Sequence, residues 1–96
     1  MLTIKEITEA ANIVASEFPI TKIELFGSYA KDTNTPDSDV DLLVEFDKNA
    51  IITLLTICGI KNRMEELLNT PVDVIHAPIP KDSILEIDKV VPLYAA

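Results

Sequence analysis

Cysteine, glycine, histidine and basic residues are all scarce in this chain. A single cysteine, Cys58, among 96 residues leaves no internal disulfide, and with one histidine no spacing resembles a zinc site. A reduced, cytoplasmic setting is the expectation. Eight lysines and arginines, scattered singly, stand against sixteen aspartates and glutamates, for a net charge of −8. Such a surface repels a phosphate backbone, which argues against direct nucleic-acid binding. The acidity suits bound metal cations or a basic protein partner, and equally suits plain solubility. No apolar run approaches the roughly 18 residues of a membrane span. The longest, Ala50 to Ile60, is broken by threonines and a glycine. Lys5, Glu6 and Glu9 interrupt any apolar opening, so no signal peptide is expected.

What the chain does hold is core-forming material: 48% hydrophobic residues against 25% charged, read as one small domain over residues 1–96. Ile4, Ile7, Ala11, Val14 and Phe18 form a one-sided helical stripe, opened by a Thr3–Glu6 capping pair and closed by Pro19. "TKIELF" reads as a short strand running into Gly27, followed by a turn or two of helix over residues 28–31. "DTNTPDS" has loop composition. "DVDLLVEF" is a strand whose apolar run predicts burial on both faces. A helix is predicted from about Ile52 to Leu68, then a strand in "TPVDVIHA". A last helix in "KDSILEIDKV" is predicted to follow Pro80 and end near Pro92. The order α-β-α-β-α-β-α predicts an α/β (α+β) domain, a small sheet flanked by about four helices. Strand directions do not follow from this pattern.

Two aspartates break the second strand. Asp39 and Asp41 are two residues apart, so strand alternation sends them to one side, their α-carbons roughly 6.5–7 Å apart. Two ionised carboxylates repel at that spacing, and divalent cations remove the conflict. Mg²⁺ takes oxygen ligands and completes its shell with water and substrate phosphates. Two ions about 3.5–4 Å apart would serve an in-line displacement at phosphorus. Asp73, between valines in the third strand, repeats the anomaly and would join the site if its strand neighbours the second. Gly27 permits close backbone approach, and Ser28, at the start of the short helix, adds a hydroxyl donor. Together they make a phosphate cradle without a P-loop signature. Gly-Ser at this distance from D-x-D arises by chance in on the order of one chain in a thousand.

"FGSYA…SDVDLLVEF" followed by "VDVI" resembles the nucleotidyltransferase superfamily related to DNA polymerase beta. More narrowly it resembles the minimal nucleotidyltransferase (MNT) antitoxins paired with HEPN toxins. The resemblance spans essentially the whole chain and implies a mixed sheet with flanking helices. It implies that Gly27 and Ser28 hold a triphosphate, with Lys31 steadying its β- and γ-phosphates. It implies two Mg²⁺ ions on Asp39, Asp41 and Asp73, the last near the attacking hydroxyl. The implied reaction moves AMP from ATP to a tyrosine of a HEPN ribonuclease toxin, in a hetero-oligomer with that toxin. Such antitoxins usually read Gly-Ser-x-Ala-Arg-Gly, whereas Ala30 here is followed by Lys31 and Asp32. Lysine keeps a point charge but loses the bidentate fork, and Asp32 places a negative charge near the triphosphate. An antitoxin acting by steric cover is therefore the alternative, and transfer to a small-molecule hydroxyl a third.

Other residues have competing readings. Ile51, Ile52, Leu55 and Cys58 lie beyond the helix stripe, as a contact surface or as core filling, and Cys58 is read as a small buried hydrophobe. Tyr29 could stack on a base or pack against the sheet. Lys61 and Arg63 fit a solvated helix face. His76 lacks catalytic partners and fits the end of a strand.

Overall fold

A computed structural model describes residues 3–27, 29–30, 38–76 and 90–95. Helix α1 covers Ile4–Glu17. Its N-cap is Thr3, whose hydroxyl accepts from the Glu6 amide at 3.2 Å. This satisfies one of the amides left free at a helix start. Phe18 closes the helix in extended conformation, its amide donating to Val14 O, and Pro19 follows. Ile7, Ala10, Ala11, Val14 and Ala15 are buried. The three alanines on this stripe keep the helix close to its neighbours.

Strand β1 (Ile20–Phe26) pairs antiparallel with β2 (Val40–Phe46) on one side and with β4 (Val91–Ala95) on the other. Between β2 and β3 (Val72–His76) lies helix α2 (Leu54–Leu68), and this crossover makes the β2–β3 pair parallel. The sheet is therefore mixed, in the order β3-β2-β1-β4. Helix α2 starts two residues later than the sequence predicts. Thr53 forms a capping box with Thr56, and Asn69 ends the helix in the left-handed conformation.

Both helices cover one face of the sheet. Ile23 and Leu25 of β1, Val40, Leu42 and Val44 of β2, and Val72 of β3 share a single core with Ile7, Val14, Ile60 and Met64. In α2, Gly59 lets the Phe18 ring approach, since a Cβ there would lie 3.3 Å from Phe18 Cε1. A bidentate ion pair ties the helices together: Arg63 Nε and Nη2 donate to the Glu17 carboxylate at 2.9 and 3.2 Å. Alternation sends Asp41, Leu43 and Glu45 to the opposite face. Leu43 is buried there and the two acids are half-buried, so β2 is covered on both faces only in part.

One prediction requires correction. Pro92 does not close a helix. It sits inside β4, an edge strand whose Leu93 is buried in the core. Proline cannot donate to a ladder and is tolerated on an edge, so its reading as a stop signal misplaced this segment. The sheet has four strands where the sequence suggested three. Of the helix predicted over residues 28–31, the described residues Tyr29 and Ala30 form a turn, and the helix predicted after Pro80 lies outside the described residues except at Val90.

Candidate active site

Three strand ends meet at the candidate site. Phe26, the last residue of β1, pairs with Asp41, the second residue of β2. Asp41 in turn pairs with Asp73, the second residue of β3. Neighbouring strands lie about 4.8 Å apart, so these carboxylates occupy adjacent rungs on one face. Asp39 is exposed and stands just before β2, outside the ladder. The sequence allowed convergence only if the second and third strands were neighbours, and they are.

Gly27 follows β1 with φ 76, a left-handed conformation that suits glycine. Space imposes the same choice. A Cβ at this position would collide with an Asp41 carboxylate oxygen and lie 3.2 Å from Asp41 Cγ. The backbone at Gly27 is thus seated directly against the central acid. Two further contacts hold the backbone here. Val40 N donates to Pro71 O at 3.0 Å, joining the start of β2 to the residue before β3. Glu65 Oε2 accepts from Val72 N at 3.0 Å. Sequence reasoning did not single out Glu65; its spacing of four from Lys61 was the available sign.

The electrostatics single out Asp41. Burial, then the charge of Asp73, then that of Asp39, raise its carboxyl above the ordinary range. The ion pairs that join described residues engage Lys22, Lys61 and Arg63 with glutamates. Of these cations, Lys61 also feels the charge of Asp73, while the Asp41 carboxyl is left raised by burial and its acidic neighbours. Among the described residues, no three carboxylate, imidazole or thiol groups form a ready-made metal cage. Mg²⁺ does not require one, because it commonly takes one or two carboxylates and draws other ligands from water and phosphates. Adjacent hard-oxygen donors around a charge-stressed carboxylate fit such an ion. Ser28 and Lys31 lie outside the described residues.

The nucleotidyltransferase domain model matches residues 7–92. The chain belongs to this nucleotidyltransferase family. It is 35% identical over 95 residues to MJ1379 of Methanocaldococcus jannaschii, a protein named as a candidate protein adenylyltransferase. The match covers 90% of this chain and 95% of that relative. Two solved structures share the nucleotidyltransferase fold. One is a toxin–antitoxin crystal structure with AMP-PNP, at TM-score 0.76 and 16% identity, covering 93% of this chain and 73% of the other. The second is a tri-AMPylated Shewanella oneidensis HEPN toxin in complex with an MNT antitoxin. It has TM-score 0.68 and 15% identity, covering 95% and 71% of the two chains.

The remaining side chains divide between agreement and correction. Tyr29 is buried in the core, consistent with packing rather than base stacking. His76 ends β3, its ring edge-on to Phe46 with centroids 4.9 Å apart. Lys61 and Arg63 are taken up by glutamates. Cys58 is exposed, contrary to the buried reading. Ile51 and Leu55 are 89% and 83% exposed, so they do not fill this chain's core, and Leu54 joins them at 76%. They precede or occupy the first turn of α2, before the helix comes over the sheet. Of the two readings open for these residues, exposure favours the contact surface for Ile51 and Leu55, a choice that helical spacing alone does not make.

Proposed function

We propose that this chain is a protein adenylyltransferase that moves AMP from ATP to a tyrosine hydroxyl of a partner HEPN ribonuclease toxin, acting as its antitoxin. The observation that carries this reading is the pairing of Asp41 with Asp73 across β2 and β3, with Gly27 packed against Asp41. Membership of the nucleotidyltransferase family, the adenylyltransferase relative and the AMPylated toxin complex supply the chemistry and the class of partner.

In the reaction the acceptor oxygen forms a bond to the α-phosphorus, and the bridging bond to the β-phosphate breaks. Pyrophosphate leaves with that electron pair. Asp39, Asp41 and Asp73 would hold Mg²⁺, which when bound offsets the triphosphate charge and polarises the α-phosphoryl group. Asp73 is the side chain assigned to receive the hydroxyl proton. The small Gly27 lets the phosphates approach the backbone, with Ser28 and Lys31 steadying the β- and γ-phosphates. The acceptor comes from another chain, and exposed Ile51, Leu54, Leu55 and Cys58 form the apolar surface assigned to that contact. This reading takes residues 1–96 as one domain working in the cytoplasm.

The test is label transfer from α-labelled ATP to the co-purified partner. Asp39→Asn combined with Asp41→Asn abolishes transfer while the circular dichroism spectrum is retained; undiminished transfer refutes the site. The Lys31-Asp32 pair favours a second reading, steric neutralisation by a chain with a weakened nucleotide site. Intact-mass measurement separates the two. A partner heavier by one or more AMP units supports transfer, and a tight complex with unmodified partner supports steric cover.

A further inference from the structure

Glu65 stands outside the three aspartates, yet it reaches their scaffold. Its Oε2 accepts from Lys61 Nζ at 2.7 Å and from the Val72 amide at 3.0 Å. Val72 opens β3 and directly precedes Asp73. One residue earlier, Pro71 O accepts from Val40 N at 3.0 Å, and Val40 lies between Asp39 and Asp41. These hydrogen bonds therefore grip the two backbone stretches that bear all three acids.

The grip has a physical purpose. β3 is an edge strand. Edge amides directed away from the sheet lack ladder partners and need another acceptor. Glu65 meets that need at the first residue of the strand. Asp73 also sits opposite Asp41, and directly opposed like charges push strands apart. Relaxation of the β3 start would relieve that repulsion and would also dismantle the paired carboxylates. An acceptor on α2, whose Met64 and Leu68 are anchored in the core, opposes the relaxation.

We infer that Glu65, oriented by Lys61, is a positioning residue that clamps the start of β3 and thereby keeps Asp73 beside Asp41. Its consequence for rate rests on the transferase reading; its consequence for metal affinity does not. Glu65→Leu removes the acceptor, whereas Glu65→Gln retains an oxygen for the Val72 amide.

Three measurements on the full chain test this. In Glu65→Leu, hydrogen exchange at the Val72 amide accelerates about tenfold or more at constant exchange elsewhere in the core. Mn²⁺ affinity by calorimetry, with AMP-PNP present, falls about tenfold, the size typical of lost support for a metal ligand. The kcat for AMP transfer falls similarly, with little change in KM for the acceptor, and Glu65→Gln recovers most of each loss. A merely structural role would lower the melting temperature while leaving the Mn²⁺ affinity of the folded protein unchanged, and that result overturns the inference. If the wild type binds Mn²⁺ but transfers no AMP, the transferase reading fails alone and the Mn²⁺ comparison still decides the clamp. A wild type that binds no Mn²⁺ overturns both.

Discussion

Burial, Asp73 and Asp39 all disfavour the ionised form of Asp41. A carboxyl raised in the folded state contributes stability below its unfolded pKa of about 3.9, and loses that contribution as pH rises through the folded value. At neutral pH the charge on Asp41 therefore opposes folding. Asp41→Asn is expected to raise the melting temperature of the metal-free protein at pH 7 by about 2–4 °C, with the gain vanishing below pH of about 3.9. Mg²⁺ with AMP-PNP should raise the wild-type melting temperature and barely move the variant's. Thermal scans across pH and metal decide both points. Gly27→Ala confronts a left-handed φ and the Asp41 carboxylate together. A loss of about 1–3 kcal/mol in denaturant unfolding is expected, alongside impaired transfer.

Helix α2 is capped at its start and reaches the site's scaffold only toward its end. At its start, Thr53 and Thr56 exchange capping hydrogen bonds. Thr53→Ala should cost about 1 kcal/mol, measurable as a lower urea midpoint at unchanged slope. Toward its end, hydrogen bonds from Lys61 and then from the Val72 amide hold the Glu65 carboxyl below its ordinary value. A lowered carboxyl contributes stability above its unfolded pKa of about 4.3 and loses it as pH falls through the folded value. Carbon-detected NMR titration should place the Glu65 midpoint below that value in the wild type and nearer to it in Lys61→Met. A midpoint unmoved by that substitution would remove Lys61 from the account. Elements with their own stop and start chemistry were readable in the chain: Thr3 and Pro19 bracket α1, and strand period marks β2 and β3. β4 was not, because a proline near a chain end looks the same whether it stops a helix or lies on a sheet edge.

Across the whole molecule, an acidic body carries an exposed apolar corner. Its charge of −8 sets one copy against another and favours a basic partner. The corner is built from Ile51, Leu54 and Leu55, all more than three-quarters exposed. Ile51→Ser with Leu55→Ser should shift folding stability by no more than about 0.5 kcal/mol. In the proposed complex with a toxin, the same pair should weaken binding at least about tenfold. Surface plasmon resonance gives the affinity and thermal melting gives the stability. A complex of unchanged affinity would move the interface elsewhere.

As candidates, Asp41 and Asp73 stood out in the chain alone because acids interrupt strands that want apolar residues, Asp39 by its spacing from Asp41, and Gly27–Ser28 by following a predicted strand. Periodicity was likewise enough to place α1, α2 and most of the sheet. Local pattern carries no information about which strands are neighbours, so the meeting of Asp41 with Asp73 awaited the parallel β2–β3 ladder. The same holds for Gly27 against Asp41, for Glu65 on the Val72 amide and for the bare first turn of α2. All four are contacts, or missing contacts, between different elements, and these are set by how helices and strands pack rather than by the spacing of residues within them.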